Sequence, residues 1–254
     1  MGFKISPSSL GLMKRCPRCF WWYLKRDIKR PEDITSRLAN RIDTKLKEDF
    51  DLFRQKQELP PVLNEIKDMQ IGLYKNQEEI RRMRYGLEYF DRNKGILLNG
   101  KMDDVLQRGN KLVVFDFKTT SKNEENCVEE EFNKAIEEYN YNVQLGFYSY
   151  LLRKKGYLTE DFGFLLFYFI KKFANDGNSI FGTKLMKVDL DINNVEKEID
   201  KAVKILNMEE PPEAGINNKG DKCGFCSSFH ERYENIQKER EEKEKILNEI
   251  VFDK

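Results

Sequence analysis

The sequence predicts an α/β fold in which a mixed β-sheet is flanked by helices. Short apolar-rich runs form two candidate β-hairpins, and segments with apolar residues at three- and four-residue steps precede, separate and follow them. With 254 residues, of which 39% are hydrophobic and 35% charged, the chain has enough apolar side chains for one substantial core. We therefore expect a folded chain built as one elaborated domain, and global disorder is excluded.

The first elements are helical. Ser6 followed by Pro7 is typical of a helix start, and this helix should continue towards Lys14. Residues 36–53 have the apolar spacing of an amphipathic helix that faces a core. The apolar positions of that helix are Leu38, Ile42, Leu46, Phe50 and Phe53. The polar stretch 64–84 contains no pattern that assigns it to one state.

Two hairpins are expected next. Residues 96–106 and 112–119 are apolar-rich runs on either side of Arg108-Gly109-Asn110, which indicates a short turn containing glycine. Residues 162–171 and 180–190 form the second pair of candidate strands, joined by a turn around residues 175–178.

Helical spacing returns between and after the hairpins. Residues 131–153 predict one long helix, and residues 195–206 predict a further amphipathic helix. Charged residues dominate after that point, which indicates a solvated C-terminal helix. The expected organisation is a single domain over residues 1–254, with a core at about 36–207, cysteine-bearing segments at 6–30 and 211–230, and a charged helix at 231–254.

Composition narrows the function classes. The 45 basic and 44 acidic residues nearly cancel, so overall charge gives no support to nucleic-acid binding, which must rest on local clustering. No apolar run approaches the roughly 20 residues of a membrane span, and Met1 to Lys14 lacks a secretory apolar stretch, so we expect a cytoplasmic protein with no membrane partner. Since His230 is the one histidine, catalysis is better sought among carboxylates.

The first hairpin brings two acids and a lysine together. If its loop spans Arg108 to Lys111, Asp103 lies opposite Asp116, whereas a three-residue loop shifts the pairing by one position. Because strand side chains alternate between faces, Asp116 and Lys118 share one side. We expect these three side chains to converge.

This grouping is chemically sufficient to hydrolyse a phosphodiester. An aspartate among apolar strand residues becomes tolerable to bury when a divalent cation or a lysine compensates its charge. Carboxylates hold Mg²⁺ or Mn²⁺, the bound metal activates a water, and a lysine steadies the nucleophile or the phosphate. The alternative is an ordinary ion pair between Asp116 and Lys118, with Asp103 closing a turn beside Asp104.

Three segments carry a family resemblance. Gly100-Lys101-Met102-Asp103, Asp116-Phe117-Lys118-Thr119 and Gln144-Leu145-Gly146-Phe147-Tyr148 resemble the RecB-like branch of the PD-(D/E)XK nucleases, which includes CRISPR-associated exonucleases. The resemblance implies a restriction-endonuclease-like core and a metal-dependent DNA nuclease, which we expect to act on single-stranded DNA or DNA ends. It implies metal binding by Asp103 and Asp116, catalysis by Lys118, and support from Gln144 and Tyr148, which share a helix face.

One position departs from the family. Residues 39–46 are similar to the helix that usually supplies a further metal-binding histidine or glutamate, but Asp43 stands where the histidine is usual. Asp43 is therefore a candidate metal ligand, and the alternative is an ordinary surface acid on a charged helix. If it is not a ligand, the chain is instead a catalytically inactive nucleic-acid-binding protein of the same fold.

Four cysteines form two C-x-x-C pairs, Cys16/Cys19 and Cys223/Cys226. Two such pairs supply the four thiolates of a tetrahedral zinc site or an iron–sulfur cluster, provided that the fold brings both ends of the chain together. The resemblance implies a [4Fe-4S] cluster, although this two-plus-two arrangement departs from the one-plus-three spacing of that group. Zinc, with His230 as a substitute ligand, and reduced cysteines without a metal are the alternatives. Cys127 is expected to be a plain thiol.

Local positive charge surrounds Phe20-Trp21-Trp22-Tyr23 near the N-terminus. Basic groups neutralise phosphates and aromatic faces stack on unpaired bases, a combination that suits single-stranded DNA. Consecutive large aromatic residues are equally typical of a core, and we expect at least one tryptophan to be buried. The basic residues are Lys14, Arg15, Arg18, Lys25, Arg26, Lys29 and Arg30.

Overall fold

The computed structural model describes residues 2–30, 37–120, 128–173, 179–216, 220–226 and 228. The chain divides into two compact units, one of Met1–Gly11 with Glu32–Val203 and one of Leu12–Pro31 with Lys204–Lys254. No described helix combines the length and the apolar character needed to cross a bilayer. The turn around 175–178, Cys127, His230 and the charged segment 231–254 lie outside the described residues. A single domain over the whole chain stays a prediction.

Helices dominate the first half of the chain. A short strand β1 (Phe3–Ile5) precedes α1 (Pro7–Arg15), where the Ser6 hydroxyl oxygen accepts a hydrogen bond from Ser9 N as a helix cap. The remaining helices of this half are α2 (Pro17–Arg26), α3 (Arg37–Lys56), a 3₁₀ helix (Pro61–Met69) and α4 (Gln77–Gly86). The predicted helices at Ser6 and at 36–53 are confirmed as α1 and α3, although Leu38 is 56% exposed.

Two sheets lie in the larger unit. The first has three strands in the order β1, β4 (Ile96–Gly100), β3 (Leu87–Asp91). The second has five strands in the order β2 (Ile71–Leu73), β5 (Asp104–Arg108), β6 (Lys111–Thr120), β7 (Phe162–Phe173), β8 (Ser179–Asp189). Because β6 pairs with β7 in parallel and the other neighbours of this sheet are antiparallel, the predicted mixed sheet flanked by helices is confirmed.

The run 96–106 is two strands, where the sequence indicated one. Ile96–Gly100 belongs to the three-stranded sheet and Asp104–Arg108 to the five-stranded sheet, so the chain changes sheets between them. Asp103 lies at this change. In the hairpin itself Gln107 pairs with Leu112, as predicted, and Gly109 takes a positive φ of 58° in the tight turn.

Residues 131–153 are likewise two elements. Helix α5 (Glu129–Glu138) ends before Asn140, which adopts the left-handed conformation with φ of 61°, and α6 (Tyr141–Lys154) begins directly afterwards. Asparagine is among the few residues that tolerate this conformation. The last described helix, α7 (Ile192–Leu206), matches the predicted amphipathic helix.

The five-stranded sheet, α3 and the 3₁₀ helix enclose a shared apolar core. Phe115 and Phe117 point into it from β6, and both rings contact Phe50 of α3, with centroid distances of 5.4 and 4.9 Å. Since residues 115 and 117 face this core, the residues between and after them face the opposite side of the strand. Strand alternation therefore fixes which face carries Asp116 and Lys118.

Candidate active site and cysteine site

Asp116 and Lys118 lie together on strand β6. The Lys118 Nζ atom is 2.5 Å from Asp116 Oδ2, and both side chains are largely buried, with 15% and 3% of their surface exposed. Burial by itself lowers the pKa of Lys118, but the carboxylate of Asp116 outweighs this effect and the net pKa is raised. The lysine therefore keeps its positive charge next to the acid.

The Asp116 carboxyl group is only partly satisfied by its surroundings. Burial raises its pKa, Lys118 lowers it and the nearby Asp103 carboxylate raises it. The net pKa of Asp116 is about 7. Among the described residues, Asp116 Oδ2 receives no hydrogen bond of acceptable geometry in spite of the Lys118 contact. A buried carboxylate oxygen in this state is costly unless a cation compensates it, so the residues fit a divalent metal.

Asp103 is fixed beside Asp116 through backbone contacts. Its Oδ2 atom accepts a hydrogen bond of 3.0 Å from the Phe117 backbone N–H, which places its carboxyl group against β6. The Arg84 Nε atom donates to the Asp103 carbonyl oxygen at 2.8 Å. The register of the hairpin ends at the pair Asp104 and Phe115, one step before Asp103 would face Asp116. The expected proximity of the two acids is therefore found, outside regular strand pairing.

Gln144 connects the strand residues to helix α6. Its Oε1 atom accepts a hydrogen bond from Lys118 Nζ at 2.9 Å, and its Nε2 atom donates to Asp116 Oδ1 at 3.2 Å and to Tyr148 Oη at 2.9 Å. Tyr148 is buried, and its ring packs so closely on Gly100 that a Cβ there would lie 3.1 Å from the ring. Glycine at position 100 thus permits the close approach that brings α6 to the site.

Asp43 reaches the site through a lysine. Lys47, one turn further along α3, places its Nζ atom 2.7 Å from Asp43 Oδ2 and 2.7 Å from Asp103 Oδ1. Burial lowers the pKa of Lys47, but the two carboxylates outweigh it and the net pKa is raised. Within the described residues, the three acids do not converge into a cluster of potential metal ligands as the four cysteines do. Asp43 and Asp103 are therefore joined by a protein cation.

A buried ring of charges supports the backbone at Asp103. Arg54 and Arg84 each bind both Asp51 and Asp104, with Arg84 Nη2 2.7 Å from Asp104 Oδ2. The side chains of Arg54 and Asp104 are almost fully buried, at 2% and 0% exposed. This ring of charges links α3, α4 and β5 next to Asp103, which the sequence identified as a metal ligand.

The four paired cysteines meet in the smaller unit. The sulfur atom of Cys19 lies 3.2 Å from that of Cys226 and 3.6 Å from that of Cys223, and Cys16 lies 3.5 Å from Cys226. All four sulfurs lie within 4.8 Å of one another. The cluster therefore joins the segment around α2 to the segment that contains residues 223–226, as predicted.

The local chain is shaped around these sulfurs. Cys16 is the N-cap of α2, and its sulfur accepts hydrogen bonds from Cys19 N at 3.5 Å and from Gly215 N at 3.2 Å. A Cβ on Gly215 would lie 2.4 Å from the Arg15 carbonyl oxygen, so only glycine permits this approach. The Cys19 contact and these N–H groups lower the pKa of Cys16, while burial raises the pKa of Cys226 to about 12. Four sulfurs this close can all be thiolates only when a cation lies among them, so the donor set fits a metal centre.

The position of Trp21 in α2 decides whether this ring lies in the core or at the surface. Trp21 is 2% exposed, and its indole N–H donates to the Met208 carbonyl oxygen at 3.1 Å. Lys25 and Arg26 lie over the Trp21 ring at 5.0 and 5.8 Å. The expectation of at least one core tryptophan is confirmed, and Trp21 is not available to stack on a base.

The sequence did not identify Lys47 or the charge ring as parts of the site. Lys47 follows Asp43 by four residues, which places the two on one helix face. This spacing is the sequence feature that could have identified Lys47. Asp104 was considered only as a turn partner of Asp103. Asp104 contacts Arg54 and Arg84, which are 50 and 20 positions away in the chain, so no local sequence pattern predicts these contacts.

Comparison with known proteins supplies the family. The family model of the PD-(D/E)XK nuclease superfamily matches residues 4–230. No curated protein matches the chain. Among solved structures, the crystal structure of SSO0001 is similar at 14% identity and a TM-score of 0.40, covering 82% of this chain and 78% of that one. Since the matched residues take in both cysteine pairs, the hairpin and helix α6, the chain belongs to the PD-(D/E)XK nuclease superfamily.

Proposed function

We propose that the protein is a metal-dependent DNA nuclease of the RecB-like branch, acting on single-stranded DNA or DNA ends. The observation that carries the proposal is the buried pair of Asp116 and Lys118, with one carboxylate oxygen left without a hydrogen bond. Membership of a superfamily of nucleases supports the general activity. The choice of DNA and of its single-stranded form rests on the resemblance to the RecB-like branch.

The roles of the residues follow from their contacts. Asp103 and Asp116 would hold Mg²⁺ or Mn²⁺, which when bound lowers the pKa of a water and neutralises charge on the phosphate. Lys118 is held by Asp116 and Gln144, and we assign its remaining N–H to a phosphate oxygen or the attacking water. Gln144, fixed in turn by Tyr148, keeps the lysine and the acid in one orientation. Asp43 contributes through Lys47 or, when Lys47 moves, as a further ligand.

The test is cleavage of end-labelled oligonucleotides. Single-stranded DNA, blunt duplex DNA, circular single-stranded DNA and RNA are incubated with Mg²⁺, with Mn²⁺ and with EDTA. We expect metal-dependent cleavage of single-stranded DNA, and its loss in Asp116→Ala and Lys118→Ala. Asp189→Ala and Lys187→Ala are matched controls, since these two residues form an exposed ion pair on β8. Metal-independent cleavage, or equal loss in the controls, would contradict the assignment.

The same assay decides the alternative. A protein that binds DNA but leaves it uncut with either metal, while folding normally, would be the catalytically inactive nucleic-acid-binding form of this fold. The contact of Lys47 with both Asp43 and Asp103 is the feature that favours this alternative, because a protein cation already compensates those acids.

We also propose that the four cysteines hold one metal centre. A tetrahedral ion with metal–sulfur bonds of about 2.3 Å separates its sulfurs by about 3.8 Å. Three of the six sulfur pairs are 3.2 to 3.6 Å apart, and all four sulfurs lie within 4.8 Å of one another, a compact arrangement that favours a single ion such as zinc. The resemblance to RecB-like nucleases favours a [4Fe-4S] cluster instead, in which each thiolate binds a different iron and the sulfurs lie farther apart.

A further inference from the structure

A stacked pair of tyrosines, of which the outer one is exposed, borders the candidate active site. Tyr139 and Tyr141 stack with ring centroids 5.6 Å apart and an interplanar angle of 26°. Tyr139 is 61% exposed, an unusual state for a tyrosine ring held against another aromatic ring. Tyr139 lies in the short connection between α5 and α6, and Tyr141 is the first residue of α6; none of the roles assigned above uses either ring.

The backbone holds the two rings in this arrangement. Asn140 between them has a left-handed φ of 61°, which interrupts the helix, and the stacking places both rings on one side. The Tyr139 N–H donates to carbonyl oxygens of Ala135 and Glu137 as the end of α5. A continuous helix would place residues 139 and 141 on different faces. The break in the helix therefore creates the stacked pair.

The inner ring is anchored in the protein. Tyr141 lies 6.3 Å from Phe167 of β7, and Phe167 lies 4.8 Å from Phe132 of α5. Phe132 and Phe167 are buried. The aromatic series therefore runs from the core to solvent and ends at the open ring of Tyr139, so the outer ring is backed by a rigid support.

The series also contacts the candidate catalytic lysine. Lys118 Nζ lies 4.3 Å from the centroid of Tyr141. That ammonium is the group to which we assign a phosphate oxygen. An aromatic surface beside a phosphate-binding cation presents the two features that a nucleotide requires, a stacking face for the base and a positive charge for the backbone. The acids Glu137 and Glu138 precede Tyr139 and disfavour a phosphate on that side.

We propose that Tyr139, supported by Tyr141, is a stacking site for one unpaired nucleobase next to the phosphate that is cut. A base in a duplex already stacks on both neighbours and pairs across the helix, so only an unpaired or unwound base offers a free face to Tyr139. This inference rests on the proposed nuclease function and specifies its substrate class as single-stranded nucleic acid or frayed ends.

The experiment measures binding separately from cleavage. Fluorescence anisotropy with EDTA compares the full-length protein bound to labelled oligo(dT) and to an oligonucleotide of equal length made of abasic nucleotides. The wild type should bind oligo(dT) roughly 5- to 150-fold more tightly. Tyr139→Ala and Tyr139→Leu should bring this ratio near one, and Tyr139→Phe should keep it. The matched control is Phe90→Ala, which removes a ring that is 51% exposed on β3.

The outcomes are distinguishable. A wild-type ratio near one, or a ratio that Tyr139→Ala and Tyr139→Leu leave unchanged, overturns the stacking site even if the protein cuts DNA. A ratio that depends on the aromatic ring at position 139 supports the site even if no cleavage is found, in which case the proposed nuclease function alone fails. Leu at 139 keeps the apolar bulk, so a loss shared with Ala reports the aromatic face.

Discussion

Lys47 Nζ lies 2.7 Å from an oxygen of Asp103, the carboxylate that we assign to the metal. The same ammonium contacts Asp43, and both interactions are partly buried, with 24% of the Lys47 side chain exposed. A positive charge at this distance opposes the binding of a divalent cation to Asp103, because like charges repel strongly where water is partly excluded. The lysine and the metal therefore compete for the same acid.

Lys47→Met should for this reason bind Mn²⁺ more tightly, by roughly tenfold or more. Isothermal titration calorimetry at neutral pH measures the affinity directly. The control is Lys45→Met, since Lys45 is 63% exposed on the same helix and pairs with Glu48 and Asp49. Equal affinities in wild type and Lys47→Met would show that the ammonium leaves the site when the metal binds.

Removal of the Asp116 charge should change stability in a pH-dependent way. The folded-state pKa of Asp116 is raised from 3.8 to about 7, so the folded chain binds this proton more readily than the unfolded chain. Stability from this group is present at low pH and is lost as pH rises between those two values. In EDTA, Asp116→Asn should therefore be more stable than the wild type at pH 8, with little difference near pH 4.

Urea unfolding at several pH values measures this effect. Asp189→Asn, at a side chain that is 87% exposed, should show no comparable dependence. Added Mn²⁺ should reverse the order at pH 8, because the wild type gains a ligand-bound state that the amide variant lacks. A variant less stable than the wild type at pH 8 without metal would mean that Lys118 compensates the buried charge fully.

Features that depend on neighbouring residues could be predicted from the sequence, whereas features that depend on long-range pairing could not. Strand alternation placed Asp116 and Lys118 on one face correctly, because a period of two depends only on neighbouring residues. The break at residues 101–103 was not predicted, since both halves of the run 96–106 are apolar and only their pairing with different strands separates them. The end of α5 at Asn140 was also missed, because the apolar spacing continues across it.

Gln144→Leu should reduce the cleavage rate by roughly 10- to 100-fold, the usual cost of removing a partner that orients catalytic groups. Lys118, Asp116 and Tyr148 each lose one hydrogen bond in this variant. Mn²⁺ affinity should change much less, because Gln144 contacts the acid but is not an assigned ligand. Gln107→Leu is the control, since the Gln107 side chain donates to the turn carbonyl of Gly109 in the same hairpin, away from the three site residues. A full cleavage rate in Gln144→Leu would remove the glutamine from the mechanism.

Arg54→Met should destabilise the fold by about 3–5 kcal/mol, because it leaves the fully buried Asp104 carboxylate without one of its two arginine partners. The comparison is Lys4→Met, which breaks an exposed pair with Glu88 and should cost less than about 1 kcal/mol. Urea unfolding gives both values. A similar small loss in the two variants would indicate that Arg84 alone satisfies Asp104.

Metal analysis of the purified protein tests the cysteine site. From the compact sulfur cluster, with three pairs at 3.2 to 3.6 Å and all sulfurs within 4.8 Å, we expect about one zinc per chain and no acid-labile sulfide. Iron and sulfide at about four per chain, with a brown colour in anaerobic preparations, would instead establish the [4Fe-4S] cluster. In either case Cys19→Ser should lose the metal and unfold at a lower temperature. Cys19 contacts both Cys223 and Cys226, and the metal centre links segments that are far apart in the chain. Retention of the metal and of the unfolding temperature in this variant would remove Cys19 from the metal site, and wild-type protein without zinc or iron would leave the sulfurs as reduced core thiols.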